Sequence, residues 1–156
     1  MRARTWLPLV AVAALCASLT ACSSASSTLS PADNIVIDCT AASTAIGDYG
    51  TALQGLVTAL KNGDSSAASS AADAFSTSAK KVTDSLPGLP QDAQSFLGVS
   101  QDFAERVKDV ASGNGDLPAL TAEAQTTFAS ADFTKGADSV EAFYRQQCPT
   151  EAATQS

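Results

Sequence analysis

Thiols are the most reactive groups in this sequence. Its four cysteines are Cys16, Cys22, Cys39 and Cys148. A thiol can be acylated, oxidised to a disulfide, or used as a nucleophile or metal ligand. The last two uses usually recruit histidine, and the chain contains none. Its absence removes the usual general base and the commonest metal ligand. No Cys-x-x-Cys pair, Gly-x-Ser-x-Gly elbow, P-loop or dinucleotide fingerprint occurs. Asp102, Glu105 and Asp109 recur at steps of three and four, with Arg106 and Lys108 interspersed. That spacing suits one solvated helix face, whereas a catalytic carboxylate pair needs burial and a raised pKa. The expectation is a non-enzymatic protein without cofactor or metal.

The surroundings of Cys22 are the most specific. Arg2 and Arg4 are followed by an apolar run from Trp6 to Leu19, then by Leu19-Thr20-Ala21-Cys22. The run is about 14 residues, short of the ~20 that span a bilayer, and Pro8 weakens it further as a membrane helix. The positive start, apolar middle and small residues before the cysteine make a secretory signal layout. The four residues ending at Cys22 resemble the lipobox of bacterial lipoproteins. That resemblance implies cleavage after Ala21, a diacylglyceryl group on the Cys22 thiol and, commonly, acylation of the new amine. Two acyl chains hold a protein on a membrane where one binds only marginally. The expected location is the outer face of a cell membrane.

Cleavage would leave residues 22–156, the size of one domain. Loss of Arg2 and Arg4 leaves seven basic residues against 16 acidic ones, so the net charge goes from −7 to −9. Such a chain gains nothing from phosphate contacts, which argues against nucleic acid as a partner. An anionic membrane surface would also repel it, so lipid must supply the attachment. Residues 22–32, rich in Ser, Ala and Thr, read as a lipidated flexible tether. Residues 33–149 read as the folded domain and 150–156 as a disordered tail.

Cys16 would leave with the signal segment and Cys22 would carry lipid. That leaves Cys39 and Cys148, which bracket the domain, in a compartment that permits disulfides. A Cys39–Cys148 bond is expected.

Apolar periodicity between them is helical throughout. The first stripe is Ile35, Cys39, Ala42, Ile46, Tyr49, Leu53, Leu56 and Leu60. A helix is expected from about Pro31, with Asp38 as a second start. Gly47, Gly50 and Gly55 either weaken this helix or permit close helix approach. Asn62-Gly63-Asp64 should end it. A second stripe is Ala68, Ala71, Phe75, Ala79, Val82 and Leu86; a third is Phe96, Val99, Phe103, Val107 and Val110. The fourth runs from Pro118 to Gln147 and shifts register around Asp132 to Gly136, which predicts a kink or break there. The fold class is therefore all-α, an up-down-up-down four-helix bundle closed by one disulfide. Four antiparallel helices return the last end to the first, bringing Cys39 near Cys148. An odd number would leave them roughly a helix length apart, ~30 Å for 20 residues.

Asn62–Asp64 and Asn114–Asp116 repeat the same turn 52 residues apart. They read as turn and cap chemistry rather than a calcium or partner rim. Phe96, Phe103, Phe128, Phe133, Phe143 and Tyr144 read as core. The leading expectation of function is a protein-interaction module with an envelope or extracellular partner. The second is a lipid- or metabolite-binding lipoprotein or transporter accessory, suggested by the aromatic set in the last two helices. Cys22→Ala should release the protein from membranes or block its processing. An unchanged membrane fraction and mass would refute the lipid anchor.

Overall fold

The computed structural model describes residues 36–114 and 116–152, and every regular element in them is helical. The signal segment, Cys22, the tether and the Ser30–Asp33 cap lie outside the described residues.

The first helix, α1 (Cys39–Asn62), starts at the later of the two expected positions. Asp38 is extended, and its carboxylate accepts from the Ala41 N–H at 3.0 Å, satisfying one of the donors a helix start leaves open. Val36 and Ile37 precede it without helical structure. The helix ends at Gly63, whose φ of +68° is the left-handed conformation that closes a helix. Asp64 then caps α2 (Ser65–Ser85) by accepting from the Ala67 N–H at 3.0 Å. The Asn-Gly-Asp turn thus joins two helices as expected.

The Leu86–Pro90 connection buries Leu86 and Leu89 and turns at Gly88, φ +84°. It leads into α3 (Gln91–Asp109), which loosens into a π-type segment, Val110–Asn114, containing Gly113 at φ +101°. The second Asn-Gly-Asp turn is described apart from Gly115. Pro118 occupies the first turn of α4 (Leu117–Phe128), where its missing N–H costs nothing.

The expected fourth helix is two helices. Its break falls at Ala129–Ser130, ahead of the Asp132–Gly136 stretch where the register shift placed it. Ser130 is extended and its hydroxyl accepts from the Phe133 N–H, starting α5 (Ala131–Gln147). Gly136 lies inside α5, where it is a packing surface and not a kink. A Cβ at 136 would collide with Phe96 Cβ and lie 3.1 Å from the Asp92 carbonyl oxygen. The missing side chain is what lets α5 rest on α3. After Cys148, Pro149 starts one further turn, α6 (Pro149–Ala152), where a disordered tail from residue 150 is expected.

These helices form a bundle. Helix α1 packs on α2, α2 on α3, α3 on α5, and α4 on α1. Thr121 of α4 donates to the Leu60 carbonyl of α1 at 3.3 Å. The Cys39–Cys148 disulfide is formed, with Cα atoms 5.6 Å apart. Closing a loop of this length restricts the unfolded chain by ~4–5 kcal/mol in the chain-entropy model.

One apolar core runs through the bundle. Alanine supplies much of it: Ala42, Ala68, Ala72, Ala79, Ala93 and Ala104 are fully buried. Helix α3 departs from its expected stripe. Val99 is 43% exposed, and Ser100, one residue on, is fully buried in its place.

The glycines separate by what surrounds them. Cβ atoms at Gly47 and Gly55 would meet nothing within 4 Å, so neither enforces a close approach. Alanine at either position should raise stability by about 0.5–1 kcal/mol through helix propensity. Gly136→Ala should instead lower it by about 1–3 kcal/mol through overpacking. Urea unfolding of the three variants would reveal the opposite signs; stabilisation by Gly136→Ala would contradict the close approach.

Candidate functional site

Five aromatic side chains, one from each long helix, close a circuit inside the bundle. Tyr49 of α1 lies 5.1 Å from Phe75 of α2, ring centre to ring centre. Phe75 lies 6.1 Å from Phe128 of α4, and Phe128 4.9 Å from Phe133 of α5. Phe133 lies 4.5 Å from Phe96 of α3, which returns to Tyr49 at 5.4 Å. Phe103 joins at Phe128, 5.0 Å away. All the pairs are tilted or edge-on, the arrangements that ring quadrupoles favour. Of the expected core aromatics, Phe96, Phe103, Phe128 and Phe133 are brought together, the last two only half-buried, with Tyr49 and Phe75 beside them; Phe143 and Tyr144 are buried but outside this set.

Tyr49 carries a hydroxyl into this apolar setting. It pairs with the Ser100 hydroxyl at 2.7 Å, and Ser100 also donates to the Phe96 carbonyl at 2.9 Å. This explains why α3 buries a serine where an apolar residue was expected: an unpartnered phenol there would cost about 1–3 kcal/mol. Burial holds the Tyr49 phenol well above its ordinary pKa, and the Ser100 hydrogen bond offsets only part of that rise.

Beside the circuit lies a cleft of about 370 Å³. Ser43, Ile46, Tyr49 and Gly50 line it from α1, and Ala137, Val140, Glu141, Tyr144 and Arg145 from α5. Val82 of α2 and Phe96 and Leu97 of α3, all buried, form its base. It occupies the seam between α1 and α5, which touch each other only sparingly. Small residues leave the seam unfilled. A Cβ at Gly50 would meet nothing within 4 Å, and Ser43 and Ala137 are short.

The lining is mainly apolar and aromatic. Its charged members, Glu141 and Arg145, are exposed and form an ion pair one helical turn apart. Tyr144 is 5% exposed; its hydroxyl is buried and has no hydrogen-bond partner within the protein. It is the only such side-chain atom among the described residues.

The other candidate groups are spread over the surface. Asp102, Glu105 and Asp109 are exposed on α3. Arg106 pairs with Glu123 of α4 and stacks 5.8 Å above the Phe103 ring. Lys108 bonds to Asp73 of α2 at 2.7 Å, Lys135 to Asp92 of α3 at 2.9 Å, and Lys81 to Asp48 of α1 at 3.4 Å. The first two pairings raise the lysine pKa values, chiefly through the hydrogen bond to aspartate. Such exposed pairs contribute little each. Their value here is that they join neighbouring helices. No group of three or more Cys, Asp or Glu residues is placed to hold a metal ion among the described residues. No described helix is long and apolar enough to cross a membrane.

Compared with protein-family models, curated proteins and solved structures, the chain matches none.

The buried phenol gives a test by pH. Ionisation favours the unfolded chain, where the phenol titrates near its ordinary value of about 10. The contribution of Tyr49 to stability is thus complete below that pH and lost as pH rises above it. In Tyr144→Phe, Tyr49 is the one remaining tyrosine. Phenolate absorbance should then emerge only as helical circular dichroism is lost. A phenolate forming near pH 10 in the folded chain would show that Tyr49 is hydrated.

Proposed function

We propose that this chain is an exported lipoprotein, held at the outer face of a cell membrane through lipid on Cys22. Its helical bundle binds a small apolar ligand in the seam between α1 and α5. The observation that carries the ligand reading is the cleft itself. A concave, mostly apolar site with a few polar groups is the usual form of a small-molecule site, and about 370 Å³ falls within the usual range. The sequence alone favours a protein-interaction module; the mostly apolar and aromatic lining of this cleft favours a small ligand instead. The role proposed is binding, not catalysis: the one carboxylate of the lining, Glu141, is exposed and paired with Arg145.

The path of the chain proposed is up-down-up-down through α1, α2, α3 and the α4–α5 pair. Packing between successive helices supports it, as does the disulfide between the first residue of α1 and the residue after α5. On this path Cys39 and Cys148 share the end from which the tether leaves. The ligand site then opens on the flank of the bundle.

Gly50→Leu tests the cleft. Leucine is a better helix former than glycine, and its Cβ would meet no atom within 4 Å at this position lining the cleft. A panel of small apolar compounds should raise the melting temperature of the wild-type chain in a concentration-dependent way. Gly50→Leu should remain folded and lose the response. A wild-type chain that responds to no compound, or a variant that responds equally, would overturn the ligand reading.

A further inference from the structure

We propose that the ligand of the α1–α5 cleft is a single-chain carboxylate amphiphile of about eight to ten carbons, its chain lying along the seam and its carboxylate on Arg145. The inference rests on the ligand reading above and adds the shape and charge of the ligand.

The shape follows from where the lining residues fall. On α5 they run from Ala137 to Arg145, and on α1 from Ser43 to Gly50, each set keeping to one helix face. At 1.5 Å per residue both walls are about 10–12 Å long. Spread over that length, about 370 Å³ leaves a cross-section of about 30–40 Å², a slot rather than a bowl. A saturated chain advances about 1.25 Å per carbon, from bonds of about 1.5 Å at near-tetrahedral angles. About eight to ten carbons therefore fill the slot from end to end.

Polarity is unequal along the slot. Cys39 and Cys148 are bonded, and Ser43 and Arg145 lie within four residues of them, at the disulfide end. Gly50 and Ala137 line the other end, and Val82, Phe96 and Leu97 form an apolar floor. The one polar end of a chain therefore belongs at the disulfide end, where Arg145 is the last charged residue of the lining. The Arg145 side chain is 54% exposed, so a head group there keeps part of its hydration while the chain leaves water. Glu141, one turn further in, accepts from one guanidinium nitrogen. A guanidinium presents five donors in a planar fork that fits both oxygens of a carboxylate, so it serves a second one. An ammonium head would meet Arg145 before Glu141. The two parts contribute unequally: each buried CH₂ is worth about fourfold in affinity, and an exposed ion pair about two- to fivefold. The chain supplies the affinity and the head sets its direction.

Titration calorimetry on the full chain at neutral pH, with each probe below its micellar concentration, separates chain from head. Hexanoate, octanoate and decanoate should bind successively more tightly, by about fifteenfold per two carbons. Dodecanoate should gain less than about twofold over decanoate, because its extra carbons stay in water. Adamantane-1-carboxylate, a compact cage of similar carbon count, should bind about tenfold more weakly than decanoate. Octanoate should bind more tightly than octylammonium. Arg145→Gln should weaken octanoate about two- to fivefold and leave octanol and octylammonium no weaker. Gly50→Leu should abolish binding of the whole series.

Four results would overturn the inference: affinity that climbs as steeply to dodecanoate, a cage that binds as tightly as decanoate, octylammonium that binds as tightly as octanoate, or octanoate affinity that Arg145→Gln leaves unchanged. In each of those cases a compound still binds and Gly50→Leu still removes it, so the cleft remains a ligand site. If no chain and no other apolar compound binds the wild-type protein, or Gly50→Leu binds them all equally, the ligand reading falls and the inference falls with it.

Discussion

Contact among aromatic rings is the constraint on which this bundle depends. Each long helix contributes one ring to a closed circuit through Tyr49, Phe75, Phe128, Phe133 and Phe96. A core rich in alanine buries little area per residue, so the large side chains carry a disproportionate share of the apolar stabilisation. Aromatic geometry also specifies where the helices meet, which alanine stripes alone would leave open to sliding. The register of α5 against α3 shows this. Phe133 packs at a tilt on Phe96, while Gly136, three residues later, admits the Phe96 Cβ directly. A large residue and an absent one are used in succession on the same helix face.

The circuit sits beside the cleft and contributes Tyr49 and Phe96 to it. The bundle is tight where rings interlock and open where α1 faces α5 with Ser43, Gly50 and Ala137. The two tyrosines differ accordingly. Tyr49 lies in the circuit and has its hydroxyl satisfied by Ser100; Tyr144 lies across the seam and does not. One fold thus treats the same chemical group in two ways. The first is paired across two helices, and the second is sealed from water without a partner in the protein.

Helical class, the first three helices, the Asn62–Asp64 turn and the disulfide partners were legible because each rests on local patterning or on elimination. What was not legible depended on contacts between distant segments. Val99 looked like a stripe position because valine is apolar; Ser100 is buried because a phenol 51 residues away requires a partner. Gly136 looked like a weakness in a helix because glycine has poor propensity; its value comes from the Phe96 side chain of another helix. The break at Ala129–Ser130 carried a cap signal in Ser130, but the register shift drew attention to residues just beyond it. The cleft had almost no sequence signal. The aromatic set in the last two helices hinted at a ligand, yet the site is made by a failure of two helices to meet, and no residue pattern records that.

The disulfide has a mechanical consequence. It joins the first residue of α1 to the residue following α5, so a pull applied between residues 38 and 149 passes through one covalent bond. The helices between those points bear almost none of that load. Tension entering just before Cys39 and leaving just after Cys148 would therefore bypass the packed core, much as a strap carries weight around a parcel.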